Sequence, residues 1–359
     1  MNITYFIGNG YDLQMGAPTS YEDFYDYLEE KFSTRSKNTE GIGYKTENPI
    51  FIDILKHRKP GQTLKNRWSD MEMGLGKYTK DLDAEFMMPA DFIRQYRELN
   101  NQLKQFLKGR ETDFQQIEIV NTNFLVQVEF NSIIEHVLPE NREAIEKFIK
   151  EHESEDFNAH FVSFNYTNLF DRVIISSQDV VLYQLGNQKK PIFIRDLIHI
   201  HGDLAEPILL GVDNKTQMNR EFPGELDGLM IKPQANNLLK NNKNKRLREI
   251  IMNTKLFILF GLSLGETDET WWKEIVEGCL RNRGYIIFHY FDNGTSNQDV
   301  IAFKDSYNEA KKRILKYAKH LTESQQNELS ERILITFNKC IFYDEKYQLP
   351  SKAKGEINK

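Results

Sequence analysis

The sequence predicts an α/β protein, with a mostly parallel sheet, helices on both of its faces and a largely helical insertion. Three observations predict it. Short continuous apolar runs alternate with segments of helical period, the pattern of strands covered on both faces. Each run stops at glycine or small polar residues: Gly8-Asn9-Gly10, Asn165, His201-Gly202, Gly261-Leu262-Ser263 and Asp292-Asn293. Between about residues 50 and 155 no strand run is found, and the apolar residues fall at helical spacing.

The first run, Ile3 to Ile7, reads as a buried strand. Thr19 or Ser20 can cap the next helix, with Glu22 and Asp23 in its first turn and Tyr21, Phe24, Tyr25, Leu28 and Phe32 on its apolar face. Ser33 to Asn48, polar and carrying Gly41 and Gly43, reads as a loop. Phe92, Tyr96, Leu99, Leu103 and Phe106 fit one face of a long helix, a second helical pattern covers about 113–138, and a third lies near 144–149. Strands are expected at Ala159–Phe164, Val180–Leu185, Asp196–Ile200, Pro207–Val212, Leu256–Phe260, Tyr285–Phe291, Ile333–Phe337 and Ile341–Tyr343. Helices are expected over 236–253, after Glu266 and over 304–331, and the tail 351–359 has little to bury. The expected division is a core of 1–35 and 157–345, an inserted helical segment 36–156, and a flexible tail 346–359.

Composition narrows the class. The 359 residues are 40% hydrophobic and 28% charged, an ordinary globular balance. A formal net charge of −6 argues against a general nucleic-acid binder. Cys279 and Cys340 are too few for a zinc ribbon or a disulfide framework. The most apolar run, Leu256 to Leu264, is too short to cross a bilayer, and the sequence opens on a strand rather than a basic, then apolar leader. A cytoplasmic protein without a membrane partner is expected; homo-oligomerisation is left open.

In parallel sheets ligands bind at the carboxyl ends of the strands, where these polar and glycine residues gather. A strand, a glycine turn and a helix can hold a nucleotide phosphate or ribose. Gly8-Asn9-Gly10 lacks the third glycine of the dinucleotide fingerprint, and a ligand-free turn reads the same way. Trp68-Ser69-Asp70-Met71-Glu72 reads either as a ribose or cation site or as a helix start with two acids on its dipole. His199-Ile200-His201 would place two imidazoles on one strand face, and with Asp203, Asp213 or His289 could form a metallohydrolase or nuclease site.

The strand ends, in order, resemble the AbiH family of bacterial abortive-infection proteins. The resemblance rests on Gly8 to Leu13, Thr19 to Tyr21, Trp68 to Glu72, Ser163 to Thr167, His201-Gly202 and Gly261 to Asp268. A more distant likeness is to sirtuins. Gly8 to Pro18 has the spacing of their glycine-rich segment, Asn165 their asparagine position, His201-Gly202 their His-Gly, and Gly261 to Leu264 their Gly-Thr-Ser-Leu loop. Together these imply a Rossmann-like, sirtuin-like fold and NAD, or a related nucleotide, as ligand or substrate. They imply cleavage at the nicotinamide–ribose bond, anti-phage defence and a phage-derived trigger.

Catalytic roles then fall to His201 as base, Asn165 as ribose or water positioner, and Asp12 as a carboxylate at the ribose. Nucleotide contacts fall to Gly8, Asn9, Gly10, Thr167, Gly261, Ser263 and Asp292. Asp12 replaces the sirtuin serine and Thr167 the aspartate, and the absence of a zinc module argues against protein deacylation. No metal is expected in this reading. A non-catalytic nucleotide sensor is the remaining alternative.

Overall fold

The structure, a computed structural model, describes residues 1–35, 42–57, 70–81, 88–115, 122–175, 177, 179–185, 188–221 and 224–344. The chain begins with β1 (Asn2–Ile7), α1 (Gly10–Gln14), α2 (Tyr21–Phe32), β2 (Ser33–Arg35), β3 (Ile42–Tyr44), α3 (Pro49–His57), α4 (Met71–Asp81) and α5 (Pro89–Gln115). It continues through α6 (Thr122–His136), α7 (Pro139–Glu151), β4 (Phe157–Ser163), α8 (Asp171–Ile175), β5 (Val180–Leu185), β6 (Gln188–His199), α9 (Asp227–Met230), α10 (Lys232–Leu238) and α11 (Lys243–Asn253). It ends with β7 (Thr254–Phe260), α12 (Glu269–Arg281), β8 (Tyr285–Tyr290), α13 (Val300–Leu315), α14 (Glu323–Arg332) and β9 (Ile333–Phe337).

Two compact units result. The first comprises Met1–Ala17, Phe114–Ile200 and Lys243–Lys359; the second comprises Pro18–Asp113 and His201–Asn242. This division differs from the expected one. Residues 114–156, expected in the insertion, fall with the sheet because α6 and α7 bury Leu125, Val126, Phe130, Ile145 and Phe148 in its core. Residues 18–35 and 201–242, expected in the core, fall with the second unit.

The first unit holds a seven-stranded sheet in the order β5-β6-β4-β1-β7-β8-β9. Six of these strands are mutually parallel, and β5 runs antiparallel on the edge. Numbered among themselves, the parallel strands lie 3-2-1-4-5-6, the doubly wound order. The apolar runs explain the burial. Alternate residues of β1 go to opposite sides: Ile3, Tyr5 and Ile7 join one core, and Phe6 joins the other. Likewise Leu256, Ile258 and Phe260 of β7 face the α6–α8 side, while Phe257 and Leu259 face α11–α14. A period of two inside a continuous apolar run is what a sheet covered on both faces requires.

The second unit contains α2–α4, most of α5, α9, α10 and the β2–β3 hairpin. Ser20 caps α2 in a capping box with Asp23, the Asp23 N–H donating to Ser20 Oγ at 3.1 Å. Several expectations are corrected. Within the stretch read as one loop, Ser33–Arg35 and Ile42–Tyr44 pair antiparallel. Pro207–Val212 is not a strand: Ile208 to Val212 are buried, but within this stretch the one bridge is Val212 to Ile231, so the apolar residues report burial rather than a ladder. Ile341–Tyr343 is also irregular, although Ile341 and Phe342 are buried. The helix expected over 236–253 breaks between α10 and α11, where Lys240 and Asn242 take positive φ (53° and 57°). The tail 346–359 and Trp68 lie outside the described residues.

Under α6 the apolar face of the sheet contains buried titratable groups. Glu129 accepts from the Tyr5 hydroxyl (3.3 Å) and the Phe342 N–H (3.4 Å). His136 Nδ1 lies 3.9 Å from Glu129, and its ring meets His289 edge-on at 5.4 Å. His289 in turn bonds Thr336 (2.8 Å). Burial pushes the Glu129 carboxyl up to about 8, against the two hydrogen bonds, and holds the His136 imidazole down to about 4, with Lys339 adding to the effect. The two act oppositely on stability. Because the folded value of Glu129 is raised, its contribution is whole below about pH 4.5 and is lost as pH rises through about 8. His136, depressed, instead costs stability as pH falls from about 6.5 towards 4. Glu129→Gln keeps the shape and removes the first effect. Relative to the parent it should gain on the order of 3 kcal/mol between about pH 4.5 and 7. Denaturant midpoints at both pH values measure this, and an unchanged difference between the two proteins would refute it.

Candidate functional site

Register sets the site. Ile7 pairs with Ser163 of β4 on one side and with Phe260 of β7 on the other, so the three strands end level. Strand order reverses at this point, since the chain places β4 and β6 on one side of β1 and β7–β9 on the other. In doubly wound sheets the crevice outside the carboxyl ends at such a switch point is where ligands bind.

At the β1–β7 junction the loops meet backbone to backbone. Gly8 N–H donates to Phe260 O (2.8 Å) and Gly10 N–H to Gly261 O (3.0 Å). A Cβ on Gly10 would lie 2.4 Å from Gly261 Cα, and Gly261 itself has φ +67°. These glycines therefore serve close loop packing, and the two N–H groups expected to face a phosphate have backbone acceptors. The Asn9 carbonyl accepts from Leu13 N–H (3.1 Å) within α1.

At the β1–β4 junction the expected residues do converge. Asp12, buried at 1% exposure, accepts from Asn165 Nδ2 (3.1 Å) and Thr167 Oγ1 (2.6 Å). Asn165 Nδ2 also donates to Gly8 O (3.1 Å). Asp12, Asn165, Thr167 and Gly8 thus form one network tying the turn after β1 to the loop after β4. Tyr11 beside them is fully buried, edge-on to Phe170 at 4.9 Å, and burial followed by the Asp12 charge raises its phenol well above the usual range.

The network extends to residues the sequence reading did not connect. His199 Nδ1 bonds Asn165 O (2.8 Å), and His199 Nε2 meets both Asp171 oxygens (2.8 and 3.0 Å). Asp171 opens α8, where a carboxylate reads as an ordinary helix-dipole residue, so no sequence signal singled it out.

The remaining expected residues have local surroundings of their own. The loop 261–265 is pinned at both sides, Tyr317 Oη donating to Leu264 O (2.7 Å) and Trp272 Nε1 to Gly265 O (2.8 Å). Ser263 stands exposed between them. Asp292 organises its own turn, accepting from Gly294 N–H (3.0 Å), Ser296 N–H (2.7 Å) and Asn338 Nδ2 (2.7 Å). His201 belongs to the second unit; it is buried, and its carbonyl accepts from Leu209 N–H (2.9 Å). Gly202 is needed there for backbone reasons, having φ +75° and a would-be Cβ 2.0 Å from Pro207 O.

His199 and His201 carry the alternative metal reading. β6 ends at His199, so the pair does not continue along one strand face. Both His199 nitrogens are hydrogen-bonded, and among the described residues no group of three His, Cys, Asp or Glu side chains is placed to hold a metal ion. Near the Trp68-to-Glu72 segment, Asp70 Oδ1 caps α4 by accepting from Met73 N–H (2.9 Å). Glu72 forms a buried ion pair with Lys232 (2.8 Å) inside the second unit. These two acids are accounted for by local structure.

The fold and the strand-end network define a Rossmann-like α/β protein with its polar loops gathered at the topological switch point. The family model described as bacteriophage abortive infection AbiH matches residues 4–291, most of the 359-residue chain. The chain belongs to the AbiH family, and so to the bacteriophage abortive-infection proteins. No curated protein matches the sequence. Among the described residues no helix is long and apolar enough to cross a membrane.

Two substitutions probe these anchors. Asp12→Asn turns an amide N–H₂ towards donors and should destabilise the first unit by about 1–3 kcal/mol in denaturant unfolding. Lys232→Met leaves the Glu72 charge without that cation and should cost about 3–5 kcal/mol, whereas joint replacement of both by apolar residues should cost much less. Equal losses for the single and double variants at Lys232 and Glu72 would contradict the ion-pair account.

Proposed function

We propose that the protein binds NAD or a related nucleotide at the switch point of its first unit and hydrolyses it at the nicotinamide–ribose bond, arresting the infected cell. The observation that carries this reading is the convergence of Asp12, Asn165 and Thr167 at the level ends of β1 and β4 in a 3-2-1-4-5-6 sheet. The likeness of Asn165, His201-Gly202 and Gly261 to Leu264 to sirtuin motifs supports the choice of nucleotide, while Asp12 and Thr167 depart from those motifs. Family membership supports the defence role.

In this reaction the bond from ribose C1′ to the pyridinium nitrogen breaks, and its electron pair neutralises that nitrogen. A water oxygen bonds C1′ and gives up a proton, leaving ADP-ribose, nicotinamide and H⁺. The developing positive charge at C1′ favours a nearby carboxylate, the role assigned to Asp12. Asn165 holds the loop that faces the ribose, and the sirtuin likeness assigns the base to His201, two residues past the end of β6 in the chain. The inward hydrogen bonds of Gly8 and Gly10 favour recognition through ribose over a phosphate cradle at this turn.

The test is incubation of the purified full chain with NAD, with and without phage lysate, following nicotinamide and ADP-ribose. Equimolar products are expected, and His201→Ala or Asn165→Ala should slow their formation by about 100-fold or more. Binding with NAD left intact would select the sensor. Absence of both binding and turnover under every condition would refute the nucleotide reading.

A further inference from the structure

We infer that His199 and Asp171 form a charged positioning pair: an imidazolium held by Asp171 clamps the Asn165 carbonyl, and the strand-end loop is ordered only while His199 carries both protons. The catalytic consequence rests on the function proposed above; the structural one rests on hydrogen bonding alone.

The acceptors decide the protonation state. A carbonyl oxygen and an ionised carboxylate can only accept. His199 faces one at each nitrogen, Asn165 O at Nδ1 (2.8 Å) and Asp171 at Nε2 (2.8 Å). A neutral imidazole has a single N–H, so one of its lone pairs would be pressed against an acceptor. The cation satisfies both contacts, and Asp171 balances its charge in surroundings where His199 is 6% and Asp171 8% exposed. The neighbouring groups make contacts of their own. Ser163, opposite on β4, is uncharged; Arg172 donates to Phe114 O and lies over the Phe114 ring; Asp12 is reached only through Asn165.

The clamp matters because Asn165 is fixed from two directions. Its carbonyl is held by His199, and its amide reaches Gly8 O and Asp12. Loss of one His199 proton turns either the Asn165 contact or the Asp171 contact repulsive. The loop then loosens, and with it the link between β4 and the turn after β1. His199 and Asp171 act through Asn165, so both are positioning residues.

Asp171→Asn separates charge from geometry. The introduced amide can donate to Nε2, so a neutral imidazole with its proton on Nδ1 satisfies both partners at every pH. The experiment uses the full chain with ¹⁵N-labelled imidazoles, the His199 signal being identified by its loss in His199→Asn. At about pH 6 the wild-type His199 should be doubly protonated, and it should lose one proton as pH rises. Amide exchange across 164–168, corrected for intrinsic base catalysis, should rise about tenfold along that titration in the wild type and less than about twofold in Asp171→Asn. NAD turnover in the wild type should show a fall along the same curve, with kcat changing and KM held, that is missing from the Asp171→Asn profile. A neutral His199 at about pH 6 would overturn the inference without any variant. So would identical exchange profiles in the two proteins. If the clamp titrates as described while NAD remains untouched, the positioning pair stands and the proposed function fails.

Discussion

The Asp12 carboxylate is the constraint on which the strand-end architecture depends. It is almost completely buried, and a buried carboxylate is tolerated only when donors surround it. Thr167 and Asn165 supply them from the loop after β4, so folding that loop correctly and burying Asp12 are one event. Asn165 then spans to Gly8 O and carries the His199–Asp171 pair behind it. The loops after β1 and β4, the end of β6 and the start of α8 are thereby joined in one polar chain at one end of the sheet.

The glycine turn reads differently beside this network. In a phosphate-binding turn the glycine N–H groups point outward at the ligand. Here Gly8 and Gly10 turn theirs to the end of β7 and its loop, and the missing side chains let two backbones touch. Glycine is required in both designs, which is why the sequence alone left both open. What the geometry adds is that the β1–β7 side of the switch point is closed by backbone, whereas side-chain chemistry collects on the β1–β4 side.

Legibility in the sequence followed the physics of each signal. The parallel strands were readable because burial on both faces leaves continuous apolar runs with abrupt polar ends, as at Ile3–Ile7 and Leu256–Phe260. Asp12, Asn165 and Thr167 were readable as candidates because they sit at those ends. Pro207–Val212 and Ile341–Phe342 misled for a related reason: an apolar run records removal from water, not a hydrogen-bonded neighbour. The helices α6 and α7 were legible as helices but not as part of the sheet unit, since an amphipathic face does not say what covers it. Asp171 was hidden because its partner lies 28 residues away, and nothing local distinguishes it from a helix-start acid.

Two of the first unit's acid–imidazole encounters have opposite electrostatics. At Glu129 and His136 the groups are 3.9 Å apart, too far for a hydrogen bond, and burial drives both towards their neutral forms. At Asp171 and His199 the contact is 2.8 Å, and a second acceptor on the far side of the ring demands the cation. The difference is one of hydrogen-bond complement rather than depth, since all four residues lie largely out of solvent. At the neutral pair the Glu129 carboxyl accepts from Tyr5 and from the Phe342 N–H, and the His136 ring packs edge-on to His289. The charged pair has directional partners at both imidazole nitrogens, and it stands behind Asn165, which reaches the turn after β1.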